Sequence, residues 1–161
     1  MDNFYANLLN IGGLPNKEEL FKNIEDVLNK EIEPLKEDNQ KLYLLCKIVS
    51  ILVYNGLKDR GIKSKIVRTN ELYDMYEHHF VITSYMDNNE TKYVLIDPTF
   101  NQFDCSNVSE LEYNLSTKSY SIVNNDDIKK YFSLINLKNN KLKKDISLDD
   151  IMLERRHKWK E

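Results

Sequence analysis

The sequence predicts an α+β fold in which an antiparallel β-sheet packs against helices. Two stretches in the first third of the chain, residues 17–33 and about 39–60, repeat apolar residues at helical spacing. The segments that follow are rich in Val, Ile, Thr and Tyr, and a short turn sequence separates two of them, which is typical of strands. Helical patterns return after residue 124. This order of helices, strands and helices favours the α+β class.

The two N-terminal helical patterns end at residues that usually stop helices. Pro34 follows the run over 17–33, so we expect the first helix to end there. The second pattern closes at Gly61 and carries Cys46 in its apolar stripe. Because further apolar residues widen that stripe, we expect the second helix to be buried on much of its circumference.

The middle of the chain predicts strands. Residues 62–69 alternate between apolar and polar side chains, as a half-buried strand does. Residues 78–86 and 91–97 flank "DNNE", which has turn chemistry, so we predict a β-hairpin. A further strand is predicted at 118–123, "KSYSIV".

Two helices are predicted after the strands. Residues 125–137 begin with an Asn/Asp cap, and a short helix over about 147–158 begins at Ser147. The chain has no internal repeat, low-complexity tract or linker. Its 161 residues therefore fit one compact domain.

Composition argues against several classes of function. The net charge of −3 argues against a protein that binds nucleic acid through bulk positive charge. The basic residues near the C-terminus alternate with acidic ones, which is typical of the solvated end of a helix. No apolar run is long enough to span a membrane, and no glycine-rich phosphate loop indicates a nucleotide cofactor. Two cysteines are too few for a disulfide framework, and the N-terminus lacks signal-peptide features. We therefore expect a cytoplasmic protein, although an effector delivered by a dedicated secretion system would look the same.

The candidate catalytic residues are more informative together than singly. Taken alone, Cys46 is typical of a small side chain in a core. A single histidine such as His78 or His79 is typical of a polar residue at the edge of a strand. Asp97 before Pro98 is typical of a turn. Thiol catalysis, however, needs a cysteine whose pKa an imidazolium lowers, and a third group that orients the imidazole. In this sequence a predicted helix carries the cysteine, the start of one predicted strand carries the histidines, and the end of the next strand carries the aspartate. Metal binding fits poorly, since the two histidines point to opposite faces of a strand.

The length of the hairpin turn decides which histidine faces Asp97. An even-length turn centred on residues 88–89 places Phe80 opposite Asp97 and puts His78 on the same face as the aspartate. A three-residue loop would shift the register and bring His79 to that face instead. Asn-Asn favours the two-residue I′ turn, which selects His78.

These segments resemble the transglutaminase-like superfamily of papain-fold cysteine enzymes. The resemblance covers about residues 40–103: a cysteine-bearing helix running into "LKDRGIKSKIV", then "HHF", then "YVLIDPTF". It implies a single transglutaminase-like domain over 1–161, whose papain-like core spans about 39–123 with the cysteine on a central helix. Carried over by position, Cys46 would be the nucleophile, His78 the base and Asp97 the orienting acid.

The resemblance implies covalent acyl transfer on an amide of a peptide or protein, without a cofactor. Protease, deamidase and transglutaminase activities share this chemistry, and small members include processing proteases and bacterial effectors. The alternative is a catalytically inert binding or assembly module that keeps the scaffold while Cys46 stays buried.

Three further residues are candidates for binding substrate or an oxyanion. Gln40 precedes Cys46 by six residues, the spacing of the oxyanion glutamine in papain-like proteases, although a solvated helix residue would look the same. His79 and Gln102 are the other two. In the superfamily the nucleophile begins its helix, whereas a helix starting near residue 39 would place Cys46 in mid-helix, without a free backbone N–H.

Overall fold

The computed structural model describes residues 15–38, 45–69, 78–102, 109–135 and 148. They form an α+β fold with a four-stranded antiparallel sheet, as the sequence predicts. In chain order the elements are α1 (Lys17–Val27), a π-helical turn (Leu28–Ile32), α2 (Glu33–Asp38), α3 (Cys46–Asp59), β1 (Ser64–Arg68), β2 (His79–Asp87), β3 (Glu90–Ile96), a 3₁₀ turn (Phe100–Gln102), α4 (Glu110–Lys118), β4 (Tyr120–Val123) and α5 (Asn125–Ile135).

The hairpin of β2 and β3 has the predicted turn and register. Asn88 and Asn89 have φ angles of 50° and 68°, and positive φ at both central residues is the mark of a type I′ turn. Tyr85 lies opposite Lys92, which is the pairing expected for a two-residue loop. The strands follow one another across the sheet in the order β1-β2-β3-β4. The start of β2 therefore lies beside the ends of β1 and β3.

The sheet is buried on both faces. Val81 and Val94 belong to a core shared with α1 and α3, whereas Phe80 and Leu95 belong to a second core shared with α4 and α5. As a result β2 is buried without a break from His79 to Tyr85. Successive side chains of β2 thus enter different cores.

The prediction that Pro34 ends the first helix is wrong. The chain passes from α1 through the π-helical turn into α2, which contains Pro34 as its second residue. The N–H of Glu33 bonds to the carbonyl of Leu28, five residues back, so the wider turn begins a new helical segment just before the proline. Proline costs little in the first turn of a helix, since its missing N–H has no partner to lose there.

Helix α4 was not predicted. Its buried residues, Leu111, Glu112 and Leu115, include a carboxylate, so its apolar pattern is weak. The sequence nevertheless contains a capping box that could have indicated it. The Ser109 hydroxyl accepts a hydrogen bond from the N–H of Glu112, whose carboxylate accepts one from that hydroxyl.

The predictions of β1, β4 and α5 are confirmed, whereas α3 is less buried than its wide apolar stripe predicts, since Ile48 and Ile51 are exposed. Strands β1 and β4 fall within 62–69 and 118–123, and α5 falls within 125–137. The last predicted helix, about 147–158, lies outside the described residues apart from Leu148. None of the helices in the described part of the chain has the length and apolar content needed to cross a membrane.

Candidate active site

Cys46 is the first residue of α3. The preceding residue, Leu45, has φ −110° and ψ 25°, outside the helical range, and makes no side-chain cap. The predicted start near residue 39 is therefore wrong for this helix, while residues 39–44 lie outside the described part of the chain. At the N-terminus of an α-helix the helix dipole favours negative charge, which favours a thiolate at Cys46.

The two histidines are held at the start of β2. The N–H of His78 donates to the Thr69 hydroxyl at 2.9 Å, and the N–H of Thr69 donates to the His78 carbonyl at 2.9 Å. These bonds continue the pairing of β1 with β2 by one residue. His78 and His79 are only 1% and 4% exposed, so the position of both imidazoles is fixed by packing.

His78, rather than His79, lies beside Asp97. Its Nε2 is 2.9 Å from Oδ2 of Asp97, and both side chains are 1% exposed. The His78 ring also stacks on Phe80, with an interplanar angle of 24°. His78, Phe80 and Asp97 thus share one face of the hairpin, as an even-length turn requires.

Asp97 is held by donors on both of its oxygens. Oδ2 accepts from the Tyr131 hydroxyl at 2.7 Å as well as from His78. Oδ1 accepts from the backbone N–H and the hydroxyl of Thr99, at 3.2 and 3.1 Å. The N–H of Asp97 donates to the Ser119 carbonyl at 2.8 Å. A carboxylate that accepts from this many donors is held in one orientation.

Tyr131 and Thr99 are functional candidates that sequence reasoning missed. Thr99 follows Asp97 by two residues, and an Asp side chain commonly accepts from the backbone two residues on, so "DPT" carried a usable signal. Tyr131 is thirty-four residues from Asp97 on α5. No local pattern links these two residues.

Both histidines act on Cys46. Sγ of Cys46 lies 3.7 Å from Nδ1 of His79. The side chain of His78 also forms a hydrogen bond with the thiol. Nε2 of His78 is bonded to Asp97, which leaves Nδ1 as the ring nitrogen for the thiol. His79 lies on the same face of β2 as Val81, and this is the face on which α3 packs.

The electrostatics of the site favour a thiolate and an imidazolium. Burial raises the pKa of the Cys46 thiol, but hydrogen bonds from His78 and His79 and the charge of His78 outweigh it and lower that pKa from 9.0 to about 6. Burial lowers the pKa of His78, but the charge of Asp97 and hydrogen bonds to Asp97 and Cys46 raise it from 6.5 to about 9. At neutral pH the pair is therefore charged, and the thiolate is the reactive form of cysteine.

Two other predicted site residues, Gln40 and Gln102, have side chains outside the described part of the chain. Gln40 lies outside it altogether, and Gln102 ends the 3₁₀ turn that follows Asp97. Within the described ranges no three His, Cys, Asp or Glu side chains are grouped so that they could hold a metal ion.

Comparison of the chain with protein-family models, with curated proteins and with solved structures finds no match.

Proposed function

We propose that the protein is a cysteine-dependent acyl-transfer enzyme that acts on amides of peptides or proteins. The observation that carries this proposal is the buried chain from Asp97 through His78 to a Cys46 thiol whose pKa is about 6, at the N-terminus of a helix. A structural cysteine needs none of these features. The resemblance of "HHF" and "DPTF" to the transglutaminase-like superfamily supports the same assignment, with a papain-like core and Cys46 on its central helix.

Each residue has one role in the first half of the reaction. The Cys46 thiolate attacks the carbonyl carbon of the amide, so that a C–S bond forms and the carbonyl oxygen becomes an oxyanion. The His78 imidazolium then donates a proton to the leaving nitrogen, the C–N bond breaks, and an amine and a thioester result. Asp97 fixes the orientation of His78 and stabilises its charged form.

The second half releases the acyl group. His78, now neutral, takes a proton from water or from an incoming amine, which attacks the thioester carbonyl. The C–S bond breaks and Cys46 leaves as a thiolate, while His78 keeps the proton and returns to the imidazolium. Water gives hydrolysis or deamidation, and an amine gives transamidation.

Alkylation of the native protein with iodoacetamide at pH 6 tests the proposal. We expect rapid labelling of Cys46 ahead of Cys105, located by peptide mass spectrometry, because only an activated thiol is substantially ionised at that pH. Cys46→Ser is the matched control, since it leaves Cys105 as the remaining thiol. Labelling of Cys46 only after denaturation would show an inert buried thiol and would favour the binding or assembly module instead.

A further inference from the structure

His79 contacts the reacting sulfur, yet it has no role in the two half-reactions of the proposed acyl transfer. Its Nδ1 is 3.7 Å from Sγ of Cys46, and its side chain is 4% exposed. As the first residue of β2, paired with Arg68, it is held by the sheet backbone. It lies on the face opposite to that of Phe80, so it approaches Cys46 from a different direction than His78 does.

The contact indicates which atom of His79 carries a proton. A thiolate only accepts hydrogen bonds, so a ring nitrogen in contact with it acts as a donor. His79 therefore presents an N–H at Nδ1 to Cys46. His78 meets the sulfur through its own Nδ1 and is tied to Asp97 through Nε2.

A donor beside the sulfur is also beside the oxyanion. When Cys46 adds to a carbonyl, the oxyanion oxygen and the sulfur are bonded to the same carbon. An N–H aimed at Sγ in the resting protein is thus within a short shift of the oxygen that becomes charged. Side-chain N–H donors aimed at the developing charge are one of the ways in which acyl-transfer enzymes stabilise an oxyanion.

We propose that His79 is a further catalytic residue, whose Nδ1–H binds the oxyanion that forms when Cys46 attacks a carbonyl. This role rests on the proposed acyl transfer. It separates the two adjacent histidines by function: His78 moves protons, whereas His79 keeps its proton and stabilises charge.

Two reactions of the same thiolate distinguish these roles. Iodoacetamide is displaced at a saturated carbon, so alkylation passes through no oxyanion. With p-nitrophenyl acetate the thiolate attacks the acetyl carbonyl, the C–S bond forms, the C–O bond breaks, and p-nitrophenolate leaves with the electron pair. Both rates depend on the fraction of thiolate, so their ratio at one pH cancels any change in the fraction of Cys46 that is ionised.

We expect His79→Ala to lower the ratio of acylation to alkylation by about 10²-fold, since loss of one oxyanion donor has an effect of this size. His79→Asn places an amide N–H close to the position of Nδ1 and should restore most of the ratio, although asparagine cannot act as a base. His78→Asn is the matched control. It should slow both reactions and leave the ratio near that of the wild type, because p-nitrophenolate needs no proton to leave.

The outcomes separate this role from the proposed function. A wild-type protein that releases no more p-nitrophenolate than Cys46→Ser would overturn acyl transfer and with it the role of His79. An active wild type with an unchanged ratio in His79→Ala would overturn the role of His79 alone. Equal loss of both reactions in His79→Ala, without rescue by His79→Asn, would make His79 a partner of the thiolate rather than of the oxyanion. Circular dichroism of each variant confirms that it is folded.

Discussion

Replacing Asp97 by asparagine removes the buried negative charge beside His78 and nearly preserves the shape of the side chain. The charge and hydrogen bond of Asp97 hold the pKa of His78 at about 9 against the effect of burial. Without that charge we expect His78 to be neutral at pH 7. Cys46 then loses the positive charge that helps to lower its own pKa to about 6, and the pKa of the thiol must rise.

The expected size follows from the values for the two groups. At pH 7 a thiol with a pKa of about 6 is about 90% ionised, whereas one at the ordinary 9.0 is about 1% ionised. An opposite charge at close range accounts for about one to three pKa units, and the hydrogen bond from His79 remains in the variant. We therefore expect Asp97→Asn to raise the pKa of Cys46 by one to two units, to about 7 to 8.

The assay is the rate of alkylation by iodoacetamide between pH 5 and 10, with the modified residue identified by mass spectrometry. The pH of the inflection is the quantity to compare, because the nucleophilicity of a thiolate falls as its pKa falls and partly offsets the gain in ionisation. In the wild type the rate should rise with pH through an inflection near 6. In Asp97→Asn the inflection should lie one to two units higher.

Two variants control for effects other than charge. Asp87→Asn makes the same substitution at the far, exposed end of β2 and should leave the inflection of Cys46 unchanged. Tyr131→Phe removes a neutral donor from Asp97 but keeps the negative charge, so it should not move the inflection upward. An Asp97→Asn inflection that stays near that of the wild type refutes control of the thiol by Asp97 through His78. A wild-type inflection at 8 or above refutes activation of Cys46 altogether.

Three further substitutions test the stability of the site and the fold. Cys46→Ser should become less stable as pH rises above 6.5, because against the effect of burial the charge and hydrogen bond of Asp97 still raise the pKa of His78, and the stability that this gives below 6.5 is lost as pH passes the folded pKa. That pKa should lie below the wild-type value of about 9, since the hydrogen bond and charge of Cys46 are removed. In the wild type the lowered pKa of Cys46 changes stability in the opposite sense, so denaturation at several pH values should show a flatter profile. Gly56→Ala should destabilise by about 1–3 kcal/mol in urea denaturation, because its Cβ would lie 2.6 Å from Cγ1 of Val27; a gain in stability would mean that α1 and α3 separate at little cost. Asn89→Gly should raise the unfolding free energy by a few tenths of a kcal/mol, since φ is 68° there and glycine adopts this conformation without strain, and an unchanged or lower midpoint of thermal unfolding would contradict this.

The parts of the structure that sequence reasoning predicted are those with local causes. The hairpin is one example, since two asparagines specify the turn and the turn length specifies the register. The contact of His78 with Asp97 follows from that register, because both residues belong to the same hairpin. The turn length therefore determines which residues lie side by side at the other end of the hairpin, where the site lies.

The start of α3 could not be predicted from the apolar pattern. The residues before Cys46, "LYLL", continue the apolar run, and Leu45 offers no side-chain oxygen to cap a helix. The usual signals of a helix N-terminus are therefore missing. The position of Cys46 at that terminus nevertheless places its sulfur where the helix dipole favours negative charge.

Tyr131 and His79 could not be assigned from the sequence for a different reason. Tyr131 reaches Asp97 only because α5 packs on the face of the sheet that holds Phe80. His79 reaches Cys46 only because α3 packs on the other face. Periodicity predicts that each helix has an apolar side, but not which face of the sheet it covers.

The packing of helices on both faces explains how two adjacent histidines can share one partner. Neighbouring residues of a strand point in opposite directions, so a side chain above one face of the sheet could contact His78 or His79, but not both. Cys46 contacts both because it lies at the end of the sheet, where β2 begins. The face of His78 also holds Asp97, which favours a charged imidazole that exchanges protons. The face of His79 is that of α3, whose dipole favours negative charge near Cys46. Because the two side chains point in opposite directions, His78 can act as the base while His79 acts as the oxyanion donor.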